Sequence, residues 1–463
     1  MTTEPTLSAS PSASTGARRT KRWIDDWRPE DAEFWNTSGQ VIARRNLAWS
    51  VFAEFLGFVV WQLWSIVVVM LPGAGFDLTT TQTFWLISLP SLVGATLRFP
   101  YTFMVARFGG RNWTIVSASL LLIPTVLLAI VVSDPQTPFG VLLLVAGLAG
   151  LGGGNFASSM ANITYFFPHR EKGWALGLNA AGGNIGTAIA QLLVPIAVSL
   201  TAATTLGLSV AGWMWVPLIV IAAWGAWRHM DNLSTARADV AGSLAALREP
   251  HLWLLALLYI GTFGSFIGFS SVFPKLIADQ FPDYSTFQVG QAALSLAFLG
   301  ALVGSLARPY GGRLADRFGG ARVTAGALAV MSLGALSLIA VLPTGGFWGF
   351  LACFLVLFAA TGVGNGSTYR MIPSVFAARG RARGDDEQAQ AANTRAAAAA
   401  LGLISAIGAY GGFVIPQLLG ASKSLTGGYT AAFWGFVAAY IALLAMTVVV
   451  YLVPRRALAG QRV

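Results

Sequence analysis

From about residue 47 to residue 453 the sequence is a succession of apolar runs, each near twenty residues long, with short polar breaks between them. An α-helix rises about 1.5 Å per residue, so roughly twenty residues cross the ~30 Å hydrocarbon core of a bilayer. Only 10% of the residues are charged, where a soluble globular chain carries about 25%. That leaves too little polar surface to cover a water-soluble fold, and 55% hydrophobic content excludes intrinsic disorder. The chain is read as an all-α polytopic membrane protein.

The runs predict twelve transmembrane helices in two sets of six. The first set is about 47–70, 84–107, 113–133, 139–166, 174–198 and 206–227. The second is about 252–274, 290–313, 321–342, 347–376, 396–419 and 428–453. The stretch Arg228–Pro250 holds no such run and divides the sets. The expected organisation is a cytoplasmic tail and surface segment at 1–42, a first half at 43–228, a cytoplasmic linker at 229–250, and a second half at 251–463 that ends in a short cytoplasmic tail. Residues 1–42 are Ser/Thr/Pro-rich and then charged, without the small-residue cleavage pattern of a signal peptide. They are read as a disordered tail followed by a segment lying on the membrane surface.

Basic residues fall almost wholly on one side: Arg107, Arg111, Lys172, Arg237, Arg313 and Arg379 are among them, against only Lys275 and Lys423 on the other. The positive-inside rule then places both termini in the cytoplasm of an inner-membrane protein. The net charge of +10 is accounted for by these loops, so no nucleic-acid partner is expected. A single cysteine, Cys353, allows neither an intramolecular disulfide nor a cysteine metal site. The histidines His169, His229 and His251 are scattered, so no metal and no cofactor are expected.

The halves repeat. Arg107-Phe108-Gly109-Gly110 recurs 210 residues later as Arg317-Phe318-Gly319-Gly320, and the same shift carries Arg98 onto Arg308, Gly154-Asn155 onto Gly364-Asn365 and Phe166 onto Phe376. In the fifth and eleventh helices, Leu176-Gly177-Leu178 recurs as Leu401-Gly402-Leu403. Six helices return the chain to its starting side, so the repeats run parallel, about an axis along the membrane normal. Such repeats place a substrate site between them near mid-depth.

Arg98 and Arg308 each precede a membrane-edge arginine by about two and a half turns, which puts each roughly 13 Å inside. A charge at that depth costs at least ~2.5 kcal/mol even on a lenient scale. The pair would also repel, and neither has a carboxylate within a turn of its own helix. Two readings are open. Each arginine pairs with a structural carboxylate or backbone carbonyls, or the two await an anion. A guanidinium stays charged and offers a planar fork of donors suited to a small planar oxyanion.

Glycines crowd the fourth, fifth, tenth and eleventh helices, Gly183 and Gly408 included, with polar residues such as Asn155, Ser159, Asn179, Asn184, Asn365 and Ser405 between them. Small residues let membrane helices approach closely, and the interleaved amides and hydroxyls either bond between helices or face a cavity. Tyr259 and Phe263, one turn apart, either pack or border that cavity. Glu54 is the carboxylate placed well inside the membrane, either as a structural partner or as a protonatable coupling site. Arg370, near the end of the tenth helix, reads as a snorkelling or gate contact. Gly312, Asp316 and Arg317 form a tight turn whose Asp–Arg pair would latch the halves in one state and release in the other.

These residues together resemble the major facilitator superfamily: Gly312–Gly320 resembles its loop signature Gly-x-x-x-Asp-Arg-x-Gly, although the first-half copy has Ala106 where Asp is usual. Within it the chain is similar to the nitrate/nitrite porter family, of NarK type, through Gly152–Pro168 (GGGNFASSMANITYFFP), Ala175–Gly186 (ALGLNAAGGNIG), Gly362–Pro373 (GVGNGSTYRMIP) and shorter stretches from residue 26 onward. The resemblance implies a transporter of nitrate and nitrite, not an enzyme, working as a monomer in the bilayer. It implies that Arg98 and Arg308 clamp the anion, that Phe156, Tyr259 and Phe263 sandwich it, and that Asn184, Ser405, Gly183 and Gly408 line the site. The glycine-rich fifth and eleventh helices, through Gly177 and Gly402, would bend or slide as the halves rock. The expected activity is nitrate/nitrite exchange. Glu54 departs from the apolar residue expected of a pure exchanger and keeps a proton-coupled nitrate symporter as the alternative.

Overall fold

A computed structural model describes residues 19–20, 22–236, 246–343, 346–381 and 400–453. The expected tail 1–18, the middle of the linker and the end of the charged loop after Arg381 lie outside the described residues, as does the tail from residue 454. Ten helices are long and apolar enough to cross a membrane: α1 Ala32–Met70, α3 Gly110–Val131, α4 Phe139–Phe166, α5 His169–Thr201, α6 Gly207–His229, α7 Pro250–Gln280, α9 Gly320–Val341, α10 Phe347–Ala378, α11 Ala400–Thr426 and α12 Thr430–Leu452. Two more, α2 Thr80–Phe108 and α8 Phe298–Phe318, have membrane length at 29 and 21 residues but lower hydropathy. They are the helices that carry Arg98 and Arg308. The fold is all-α and polytopic, with twelve membrane-length helices among the described residues.

The repeat is visible in the backbone. Gly109 (φ 85°, ψ 147°) ends α2 and starts α3, and Gly319 (φ 92°, ψ 136°) does the same between α8 and α9. Residues with a Cβ are strained at such a φ, so the sharp turn needs glycine in both copies. Each half packs its own helices, α2 on α4 in the first and α8 on α10 in the second.

Two segments differ from the sequence expectation. The eighth helix is expected from about 290, but strands β1 Phe287–Val289 and β2 Ala292–Leu294 form a hairpin ahead of it. Gly290 at the turn has φ 64°, a conformation that interrupts a helix and closes a hairpin. The expected surface segment before residue 43 instead docks on the first half. Trp23–Ile24 pairs in parallel with Asn232–Leu233 of the linker. Trp27 packs edge-on to Phe166 at 5.3 Å and Trp35 to Phe167 at 5.7 Å. Asp31 caps α1, accepting from the backbone N–H groups of Glu33 (3.0 Å) and Phe34 (3.2 Å).

The linker's first residues lock this corner. Asp231 is fully buried and pairs with Arg45 at 2.5 Å, while its N–H donates to Asn46 Oδ1 (2.9 Å). Asn232 Oδ1 accepts from the N–H of Asn112 (3.2 Å) beside the Gly109 turn. Linker side chains thus hold the turn in the half whose loop has Ala106. Asp231→Ala removes the carboxylate and leaves Arg45 without its acceptor. Arg45 keeps partial access to water, so the loss is expected to be about 2 kcal/mol. A fall in the melting temperature of detergent-solubilised protein checks it; an unchanged melting temperature would count against the lock.

Candidate functional site

Arg98 reaches the middle of the molecule because α2 and α4 touch backbone to backbone. A Cβ on Gly94 would lie 3.1 Å from the Cα of Gly153, and one on Gly153 would lie 3.0 Å from that of Gly94. One turn further along α2, Arg98 Nε donates to the carbonyl of Gly153 (3.0 Å). Its Nη1 crosses to α11 and donates to the carbonyl (3.0 Å) and the hydroxyl (3.1 Å) of Ser405. Its Nη2 is buried and has no partner.

Arg308, on α8, is held more loosely. Its Nη2 donates to the hydroxyl of Tyr259 at 3.5 Å, and its buried Nη1 has no partner. Among the described residues no ion pair within contact distance involves either arginine; buried Glu54, bonded to Ser159, is the carboxylate whose charge acts on both from further away. Carbonyl and hydroxyl acceptors hold the guanidiniums in place without neutralising them.

Aromatic rings separate and face the two charges. Phe156 lies between them, its ring centre 4.6 Å from Cζ of Arg98 and 6.0 Å from that of Arg308. Phe263 stands 5.2 Å from Arg98, and Tyr259 stacks on Phe263 at 5.1 Å. A ring face attracts a cation, and the attraction grows where water is excluded. Between Tyr259 and Phe263, residues Ile260–Gly264 of α7 take a π-helical turn, an irregularity often found at functional positions.

The remaining expected residues fall into several environments. Asn184 on α5 is fully buried, and neither its amide nitrogen nor its oxygen has a partner. Gly183 lies against Phe58 and Glu54: a Cβ there would come within 3.0 Å of the ring and 3.1 Å of Glu54 Cγ. Gly408 sits under Tyr259, with the ring's Cγ 3.1 Å from where a Cβ would stand. Both glycines make room for neighbouring side chains. Glu54 Oε2 accepts from the Ser159 hydroxyl (2.8 Å), which also accepts from Asn179 (2.8 Å); Oε1 is buried without a partner. Gly177 and Gly312 have open space where a Cβ would be, and Gly402 faces Thr102 at 3.4 Å. Asp316 pairs with Arg370 of α10 (2.5 Å), and Arg317 lies over Phe318. The Asp316 contact is therefore within the second half, and the partner of the pair is Arg370 instead of the adjacent Arg317.

Two aromatic partners were missed from sequence. Trp61 lies with its ring 5.3 Å from Arg98 Cζ and donates to the carbonyl of Pro90 (2.9 Å). Tyr369 lies 5.6 Å from Arg308 Cζ. The repeat-related amides of Asn155 and Asn365 are both buried, with nitrogen and oxygen unpartnered.

Every hydrogen bond between described residues of the two halves lies at the Arg98 level or toward the face of Lys275 and Lys423. Thr96 meets Tyr410 (2.9 Å), Gln417 donates to Ser88 (2.7 Å), and the hairpin N–H of Ala293 donates to Ser199 (2.8 Å). The halves are closed on that side.

The model of the Major Facilitator Superfamily matches residues 53–384. The chain is 46% identical over 452 residues to "Nitrate/nitrite transporter NarU" of Salmonella typhimurium, covering 92% of this chain and 96% of that protein. It is 37% identical over 438 residues to "Probable nitrate/nitrite antiporter NarK2" of Thermus thermophilus, covering 90% and 94%. Among solved structures, a bacterial homologue of the human lysosomal transporter Spinster, inward-facing and occupied, superposes with a TM-score of 0.58 at 17% identity, over 87% of this chain and 93% of that one. That likeness is one of fold. A repeated helix bundle with two buried arginines at the ring of Phe156, and relatives of this identity along nearly the full length, place the chain in the nitrate/nitrite porter family of the major facilitator superfamily.

Proposed function

We propose that the chain exchanges nitrate and nitrite across the cytoplasmic (inner) membrane by alternating access, with both termini in the cytoplasm and one chain as the working unit. The observation that carries this reading is the pair of buried guanidiniums on either side of Phe156, each with one terminal nitrogen lacking a partner. The printed names of the relatives, nitrate/nitrite transporters and a probable nitrate/nitrite antiporter, support the same substrates.

The proposed mechanism follows from charge. Two cations in a low-dielectric interior repel strongly, and closing the site over them without an anion carries the full desolvation penalty. One planar monovalent anion, held by the free Nη groups and set against the rings of Phe156 and Phe263, offsets most of that penalty. The loaded carrier then reorients and the empty one does not, which couples movement of one anion to return of the other. Asn184, Ser405 and Tyr259 supply further polar atoms around it. Gly177 and Gly402, without packing that a side chain would meet closely, let α5 and α11 flex, and Gly312–Arg317, which is the helical end of α8 and not the tight turn expected from sequence, is held through Asp316 and Arg370 and moves with the second half.

The test is counterflow. Proteoliposomes loaded with nitrite should take up nitrate, and anion-free vesicles without a pH gradient should take up almost none. Efficient uptake into empty vesicles would overturn exchange. A second reading, proton-coupled nitrate import, is favoured by one observation: Glu54 is fully buried, with Oε1 free of any partner. It requires that an inward pH gradient drive nitrate into empty vesicles and that Glu54→Gln remove the drive while sparing counterflow.

A further inference from the structure

Outward of the arginine pair, the seam between the halves is built from uncharged donors. On α1, Gln62 Oε1 accepts from the hydroxyl of Ser271 on α7 (3.2 Å). On α5, Gln191 Nε2 donates to the carbonyl of Ser270 (2.7 Å). Both contacts join one half to the other. All four residues are buried, at 1% exposure or less. Yet Gln62 Nε2, Gln191 Oε1, the Ser270 hydroxyl and the hydroxyl of Thr187 have no partner. A buried polar atom without a partner carries a desolvation penalty, so such a cluster calls for a functional reason.

The layer is continuous with the arginine site on two helices. On α7, Phe263, Ile267, Ser271 and Lys275 follow at four-residue spacing and so share one face. On α5, Asn184, Thr187 and Gln191 follow at three- and four-residue spacing, and each has an unpartnered buried atom. The polar row on α5 thus leads toward the arginine site, while on α7 only Ser271 and Lys275 of that face are polar, at its lysine-bearing end.

We propose that Gln62, Thr187, Gln191, Ser270 and Ser271 form an outer station for the transported anion, a second site that takes a planar monovalent oxyanion through neutral amide and hydroxyl donors. This rests on the exchange reading above. The chemistry explains why the layer carries no charge. With the outer side closed, the Ser271 hydroxyl donates to Gln62 Oε1 and the Gln191 amide to the Ser270 carbonyl across the seam, so the layer seals without an anion. At the arginine level one nitrogen of each guanidinium, Arg98 Nη2 and Arg308 Nη1, stays without a partner and the charge stays unneutralised. As the halves part, the cross-seam bonds break and the freed N–H and O–H groups replace part of the arriving anion's hydration. Neutral donors hold it weakly enough to release it to Arg98 and Arg308.

The experiment compares wild type with a Gln62→Met/Gln191→Met variant, which keeps volume and loses the amides. In nitrite-loaded proteoliposomes its nitrate uptake should fall about tenfold or more, while nitrate affinity of the detergent-solubilised protein, read at the arginine pair, stays within about twofold. Uptake at the wild-type rate would show a packing seam only and overturn the station. If wild type itself fails to exchange, the transport reading fails, and the two failures are distinct. Should the double variant not fold, Ser271→Cys in a Cys353→Ala background decides. In intact cells an impermeant thiol reagent should modify it, and external nitrate should slow the reaction; modification indifferent to nitrate, or none, overturns the proposal.

Discussion

Replacing Arg308 with lysine should cut nitrate/nitrite counterflow by about a hundredfold or more while leaving the melting temperature close to that of wild type. Lysine keeps the charge and loses the planar fork. The wild-type side chain makes one long hydrogen bond, at 3.5 Å to Tyr259, so little native-state structure depends on it. Its free Nη1 is the group offered to the anion. Arg98→Lys should be as damaging to counterflow but should also destabilise the protein. An ammonium on a straight stem cannot reach the Gly153 carbonyl and the two oxygens of Ser405 together. The contrast separates the roles: Arg98 ties α2, α4 and α11 together and binds, whereas Arg308 mainly binds. Normal counterflow in both lysine variants would disprove the clamp.

The arginine pair was legible because charge is rare in an apolar helix, and its two copies stand at one fixed offset. The same rarity exposed Glu54. Trp61 and Tyr369 were not legible, since an aromatic residue in an apolar run reads as packing whatever it touches; only the helix crossing brings their rings to the guanidiniums. The glycine-rich stretches announced close helix approach, and Gly94 against Gly153 bears that out. They did not distinguish a glycine lining a cavity from one making room for a ring, as Gly408 does under Tyr259.

Long-range pairing in loops was the least legible part. Ala106 suggested a weakened first-half turn, yet Asn232, over a hundred residues away, bonds the N–H of Asn112 there. Asp316 and Arg317 adjoin in sequence, but on a helix neighbours point apart, and Asp316 finds Arg370 on α10 instead. The hairpin before α8 was masked by its composition: Phe, Val, Ala and Leu suit a membrane helix as well as a strand, and the breaks are Gly290 with Gln288 and Gln291 beside it.

Gly412→Leu should slow counterflow on the order of a hundredfold by wedging the outer side open. Gly412, on α11, stands where a Cβ would lie 2.7 Å from Ile267 Cγ2 on α7 and 2.8 Å from the hydroxyl of Ser91 on α2. Ile267 belongs to the same half, but Ser91 belongs to the other. A leucine therefore collides across the seam only when the outer side is closed. Overpacking of this kind costs about 1–3 kcal/mol. At the upper end that shifts a two-state balance by roughly a hundredfold. The overlap with Ile267 is present in both states and lowers stability in each, whereas the clash with Ser91 is relieved by parting the halves, so the balance moves to the outward-open state. A cysteine placed at Ser91 in a Cys353→Ala background should then react faster with an impermeant reagent outside the cell when residue 412 is leucine. Gly412→Ala, with a smaller overlap, should fall between wild type and leucine in both measurements. If leucine left counterflow and reactivity unchanged, this seam would not be the surface that opens and closes during transport.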